Sequence, residues 1–167
     1  MKGRILVFLI TINVIFTGQL LAQPLSGGYT VGNGGFYTTL TAAVADLTSK
    51  GVSAPVTFKI KTGTYNEQVV MGAVPGASTA NLVIFEPESG DPQDVVLTFA
   101  PTGTNNYVIK FDNAGFITIR NVRIEPTGST YTRAIYAVNT INDLTFEGLR
   151  ITLPPSSSAT EERAAIL

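Results

Sequence analysis

The spacing of apolar residues along this chain changes once. Leu40, Ala43, Val44 and Leu47 recur at i, i+3, i+4 and i+7, which places them on one face of a helix. Thr38 or Thr39 can serve as its N-cap, and Gly51 closes it. From Pro55 onward the period falls to two, with Val56, Phe58 and Ile60 alternating with Thr57, Lys59 and Lys61. Short apolar runs follow at Leu82–Phe85, Val95–Phe99, Tyr107–Phe111, Phe116–Ile124, Ala134–Val138 and Leu144–Leu153. Clusters of Gly, Pro, Asn, Ser and Asp separate them and read as turns. No second helical period appears between the runs, which argues against βαβ units and for an all-β coil.

Two of these runs are one pattern written twice. Ile117, Ile119, Val122 and Ile124 are answered by Leu144, Phe146, Leu149 and Ile151, each 27 positions later. A strand, a turn and a second strand recurring at that spacing predict stacked coils of a solenoid. Strands of neighbouring coils then lie about 4.8 Å apart, so Ile119 over Phe146 and Ile124 over Ile151 form core columns. At the turn between the paired strands Asn121 aligns with Gly148, the two residue types most tolerant of positive φ, so a left-handed bend is predicted there. Thr118 over Thr145 and Arg123 over Arg150 fall on the outward side, and the arginine pair reads as a solvated face. With one residue inserted between coils, Asn113 and Asn139 are placed to form an amide ladder. Earlier coils read as less regular, with 24 positions from Ile60 to Ile84 and 22 from Leu97 to Ile119.

A first coil exposes its core and an unpaired edge, and the apolar helix face is suited to cover it. At the far end, Arg163-Ala164-Ala165-Ile166-Leu167 repeats the opening Arg133-Ala134-Ile135-Tyr136, so the coils are expected to be C-terminally incomplete. The chain opens with Lys2 and Arg4, the apolar run Ile5–Phe16 and then Leu20-Leu21-Ala22-Gln23. That order predicts a secretory signal cut after Ala22, the apolar run being shorter than the roughly 20 residues needed to cross a bilayer. The resulting organisation is a signal peptide over residues 1–22, a Gly-rich, loop-like leader over 23–36, a capping helix over 37–51 and β-helix coils over 52–167.

Composition narrows the chemistry. Removal of residues 1–22, which hold Lys2 and Arg4, leaves 145 residues with 9 basic against 12 acidic side chains. That acidic balance gives no basic patch for nucleic acid. With no Cys, stability in an exported chain comes from packing; with no His, the Ser-His-Asp and Cys-His mechanisms and the usual zinc sites are excluded. Asp112 and Asp143 lie near equivalent turns, as a glycosidase pair would need, but turn aspartates commonly bond their own backbone. Glu86, Glu88, Asp91 and Asp94 crowd one turn region without the spacing of a calcium loop, and read as a solvated acidic turn. Gly32-Asn33-Gly34-Gly35 lacks the strand and Lys-Ser/Thr of a phosphate loop. No catalytic, cofactor-binding or metal-binding residue is assigned.

The helix containing Tyr37-Thr38-Thr39-Leu40-Thr41-Ala42-Ala43-Val44, the strand after it and then Gly63-Thr64-Tyr65-Asn66-Glu67 resemble the start of pectin-lyase-like right-handed parallel β-helix proteins. The likeness is nearest to the first coil of pectin methylesterases, their non-enzymatic relatives and large exported proteins of Bacteroidota-type bacteria. It implies an all-β, right-handed parallel β-helix with an N-terminal amphipathic capping helix, exported from a Gram-negative cell. Pectin methylesterases work with two aspartates, an arginine and glutamines on central rungs, and no motif here matches them. Gln93-Asp94 lies in a Pro-flanked turn without a second partner, and Glu67 is expected to make a structural hydrogen bond to the adjoining turn. Two functions are therefore expected as alternatives. One is a monomeric, non-catalytic extracellular module that contacts polysaccharide or a cell-surface protein. The other is the opening of a polysaccharide-active esterase or lyase with its active site on later rungs.

Overall fold

The computed structural model describes residues 23–155 and Ile166. The signal peptide read over residues 1–22, and Arg163–Ala165 and Leu167 of the repeated opening, lie outside the described residues. In chain order the elements are β1 (Leu25–Val31), α1 (Leu40–Lys50), β2 (Val52–Ile60), β3 (Gly63–Asn66), β4 (Val69–Met71) and β5 (Val83–Pro87). Then come β6 (Val95–Phe99), β7 (Ile109–Asp112), β8 (Gly115–Arg120), β9 (Arg123–Pro126), β10 (Ile135–Val138), β11 (Asn142–Glu147) and β12 (Arg150–Ile151). The first sheet runs β1-β2-β5-β8-β11, the second β3-β6-β9-β12 and the third β4-β7-β10. Every strand pair is parallel. The chain visits the three sheets in turn and repeats, which makes it an all-β parallel solenoid.

Inward side chains stack in register, as the 27-residue pattern predicts. Ile117 pairs with Leu144, Ile119 with Phe146 and Ile124 with Ile151. One column of the first sheet runs from Tyr29 through Phe58, Phe85 and Ile119 to Phe146. In it the Phe58 and Phe85 rings stack 4.6 Å apart at 14°, both fully buried. Stacked rings of this kind add to the hydrophobic gain of their burial.

The first coils are less regular in spacing, as expected, with 27 positions between β2 and β5, 32 between β3 and β6 and 34 between β5 and β8, but the particular offsets differ from those read. Val56 pairs with Val83 and Ile60 with Pro87, again 27 positions apart, so the offset of 24 from Ile60 to Ile84 is corrected. The offset of 22 compares different sheets, because Leu97 pairs with Ile124 whereas Ile119 pairs with Phe85. Inserted turn residues move sequence spacing while the hydrogen-bond ladder holds the strands in step.

The leader is also corrected. Leu25–Val31 is a strand despite Gly27 and Gly28, because β2 offers it a row of backbone partners and Leu25 and Val31 become buried. Tertiary pairing overrides the poor strand preference of glycine. Helix α1 runs over Leu40–Lys50, inside the 37–51 expected. The Thr39 side chain accepts from Ala42 N at 3.1 Å, and Gly51 caps the far end at φ 68°. Its buried face is Leu40, Ala43, Val44 and Leu47, as predicted, and it packs against β4 and β1. At the last described coil Ile166 bridges Ile135, the position that the repeated opening assigns to the next rung.

Candidate functional site

The solenoid's outward rows are where a site would be built, and the first sheet carries the most charge. Register places Lys59, Glu86, Arg120 and Glu147 in one outward row across β2, β5, β8 and β11. Lys59 Nζ donates to Glu86 Oε1, Arg120 Nη1 donates to Glu86 Oε2 at 3.1 Å, and Arg120 Nε donates to Glu147 Oε2 at 2.6 Å. The signs alternate, so each charge finds its opposite one rung away. The hydrogen bond from Lys59, against the opposing effect of burial and with help from Arg120, holds the Glu86 carboxyl below its ordinary range. The 27-residue spacing of Lys59 and Glu86, and of Arg120 and Glu147, is legible in the sequence, whereas the join between Glu86 and Arg120, 34 positions apart, is not.

The candidate carboxylates flank equivalent turns, β7–β8 and β10–β11, but at opposite ends of them. Asp112 is in register with Val138, and Asp143 falls opposite Phe116, between the pairs Gly115–Asn142 and Ile117–Leu144. Asp112 is fully engaged. Its Oδ2 accepts from Lys110 Nζ at 2.7 Å, and its Oδ1 accepts from Asn139 Nδ2 at 2.6 Å and Asn113 Nδ2 at 3.1 Å. Those donors, Lys110 first and Asn139 second, lower the carboxyl's pKa. An ionised, donor-saturated carboxylate is a poor proton acceptor.

Asn113 and Asn139 both sit at the left-handed bend, with φ of 55° and 62°. They do not form the amide-to-amide ladder expected. Asn139 donates to Asp112, and Asn113 Oδ1 accepts from Thr140 N at 3.4 Å. The inserted residue is present: β7 and β10 are 26 positions apart, β8 and β11 are 27.

The acidic turn is divided by its partners. Glu86 belongs to the charged row, while Asp91 Oδ1 accepts from Gln93 N at 2.8 Å. Among the described residues no three His, Cys, Asp or Glu converge to hold a metal ion. Gln93 is exposed in the turn before β6. Arg123 and Arg150 stack in register on the second sheet, and Arg123 Nη2 donates to Glu125 Oε1. Thr118 faces outward with its row neighbours Ile84 and Thr145, yet only 7% of it is exposed. Strands on both sides cover so short a side chain.

Glu67 has a structural task, though at a different place from that expected. Its Oε1 accepts from Leu40 N at 3.1 Å, and its Oε2 accepts from Thr41 N at 2.8 Å and Thr41 Oγ1 at 2.7 Å. A carboxylate 26 and 27 residues downstream of them thus satisfies the unpaired N–H groups of Thr41 and Leu40 at the start of α1, where the helix dipole favours negative charge. The coil's closure, which no local pattern reports, brings Glu67 to the helix.

Compared with protein-family models, curated proteins and solved structures, the chain gives no match. The β-solenoid assignment therefore stands on strand register and burial.

Proposed function

We propose that this chain is an extracellular β-helix module of a larger secreted or cell-surface protein, contacting carbohydrate or protein and carrying no catalytic site of its own. The observation that carries this reading is the use of its outward charges. Glu86, Asp112, Glu67 and Arg120 are each held by neighbours in the scaffold, which suits a rigid presenting surface better than acid–base chemistry. The pectin-lyase-like likeness belongs to this reading, since the Glu67 contact ties the GTYNE segment to the capping helix.

The test expresses the whole chain in a Gram-negative host. The surface or medium fraction should hold protein beginning at Gln23, by N-terminal sequencing, and purified protein should release neither methanol nor unsaturated uronides from methylated pectin. Release of either product would overturn the absence of a catalytic site in this chain. An intact Met1 with the protein retained in the cytoplasm would refute export.

A further inference from the structure

Where β1 begins beside α1, a pocket of about 250 Å³ opens to solvent, lined among others by Gln23, Ser26, Tyr29, Phe36, Asp46 and Lys50. It lies at the cap end, away from the charged row of the first sheet. Three features set it apart from the rest of the surface.

The first is Phe36, 69% exposed and the most exposed large apolar side chain among the described residues. It is not a loose side chain. Its ring meets Tyr29 edge-on at 5.2 Å and Tyr37 edge-on at 4.8 Å, and Tyr29 stacks on Phe58 of the core column at 5.8 Å. A rigid aromatic face left in water is a platform for the C–H face of a ligand.

The second is unused hydrogen-bonding capacity. Asp46 is anchored through one oxygen only, with Oδ2 accepting from Tyr37 Oη at 2.6 Å and from Lys50 Nζ at 2.8 Å. Oδ1 makes no hydrogen bond among the described residues, and the Lys50 ammonium has protons to spare. Tyr29 Oη accepts from Ser26 N at 3.3 Å and retains its own proton to donate.

The third is charge. Asp46 and Lys50 pair with each other, so these two side chains cancel, and the α-amino group of a chain beginning at Gln23 adds one positive charge at the pocket's edge. An aromatic platform flanked by an acceptor, an ammonium and a phenol is the chemistry that recognises a ring with one apolar face and several hydroxyls.

We propose that this cap pocket binds a neutral saccharide unit, with Phe36 as the platform and Asp46, Lys50 and Tyr29 bonding its hydroxyls. The inference rests on the reading that the exported chain begins at Gln23 and contacts carbohydrate. The test titrates the full processed chain with neutral hexasaccharides (cello-, xylo-, manno- and malto-) and with hexagalacturonate, following tyrosine fluorescence and calorimetry. At least one neutral hexasaccharide should bind, and Phe36→Ala should weaken it by about tenfold or more with an unchanged melting temperature. Phe36→Tyr keeps the ring and should retain binding. Asp46→Asn should also weaken it, with an unchanged melting temperature of that variant as the control for fold. Binding that ignores Phe36→Ala, or binding of hexagalacturonate alone, would overturn the pocket and leave the extracellular module standing. No binding of any hexasaccharide by properly exported protein would also overturn the pocket, whereas failure of export would strike the underlying reading.

Discussion

At the scale of single residues, the bends between strands decide whether a coil can close. Asn121 and Gly148 are in the left-handed region at φ of 53° and 60°, as their alignment predicts. A Cβ added at Gly148 would lie 2.2 Å from Asn121 Oδ1, a side-chain end that can turn aside, so it is the positive φ that favours glycine and penalises a β-branched residue. Gly148→Val should therefore destabilise the chain by about 2 kcal/mol or more, read as a lower urea midpoint. An unchanged midpoint would refute the bend's role. Phe116 and Asp143 repeat the same φ sign at 59° and 45°, one coil apart. Asp tolerates a left-handed bend but Phe does not announce one, so the pair gives no matching signal in the sequence.

At the scale of elements, α1 is a lid fastened from outside itself. Its apolar face covers the first coil, and Glu67 neutralises three donors at its start. Glu67→Gln keeps one acceptor but loses the charge and one bond, and should cost about 1 kcal/mol. Faster hydrogen exchange at Leu40 and Thr41 in that variant checks the attachment; exchange equal to wild type would refute it. Strand β1 is the other half of the cap. Its register slips between Leu25 and Gly27, and the segment at Tyr37 bridges Val31, so the exposed edge is twisted and partly covered. Both devices discourage strand addition by another molecule.

At the scale of the whole molecule, the coils are coupled by charge as well as by packing. Glu86 has a folded-state pKa below its unfolded value, with the hydrogen bond from Lys59 the largest cause. Asp46 is lowered too, because hydrogen bonds from Lys50 and Tyr37 outweigh the upward push of its burial. A depressed carboxyl pKa contributes stability that is present above the unfolded value and lost as pH falls through the folded one. The urea midpoint should thus be level near neutrality and decline below about pH 4. Glu86→Gln should lower the neutral plateau and flatten the acid decline; an identical pH profile would show that the row contributes nothing. Partly exposed pairs of this sort are individually weak, and the row matters because it joins four rungs.

The sequence by itself determined the architecture and much of its register. Apolar period, turn residues and the 27-residue repeat are local properties, so Ile117–Leu144 pairing, the buried helix face and the Asn121/Gly148 bend were all legible from them. What only the tertiary structure decided are meetings between residues far apart or in different sheets. Coil closure brought Glu67 to α1, stacking aligned Lys59, Glu86, Arg120 and Glu147, and pairing with β2 made a strand of a glycine-rich leader. The cap pocket belongs to the same class, because Phe36, Tyr29 and Asp46 come from a loop, a strand and a helix. Periodicity reports which face of an element is buried; it carries no record of which other element that face will meet.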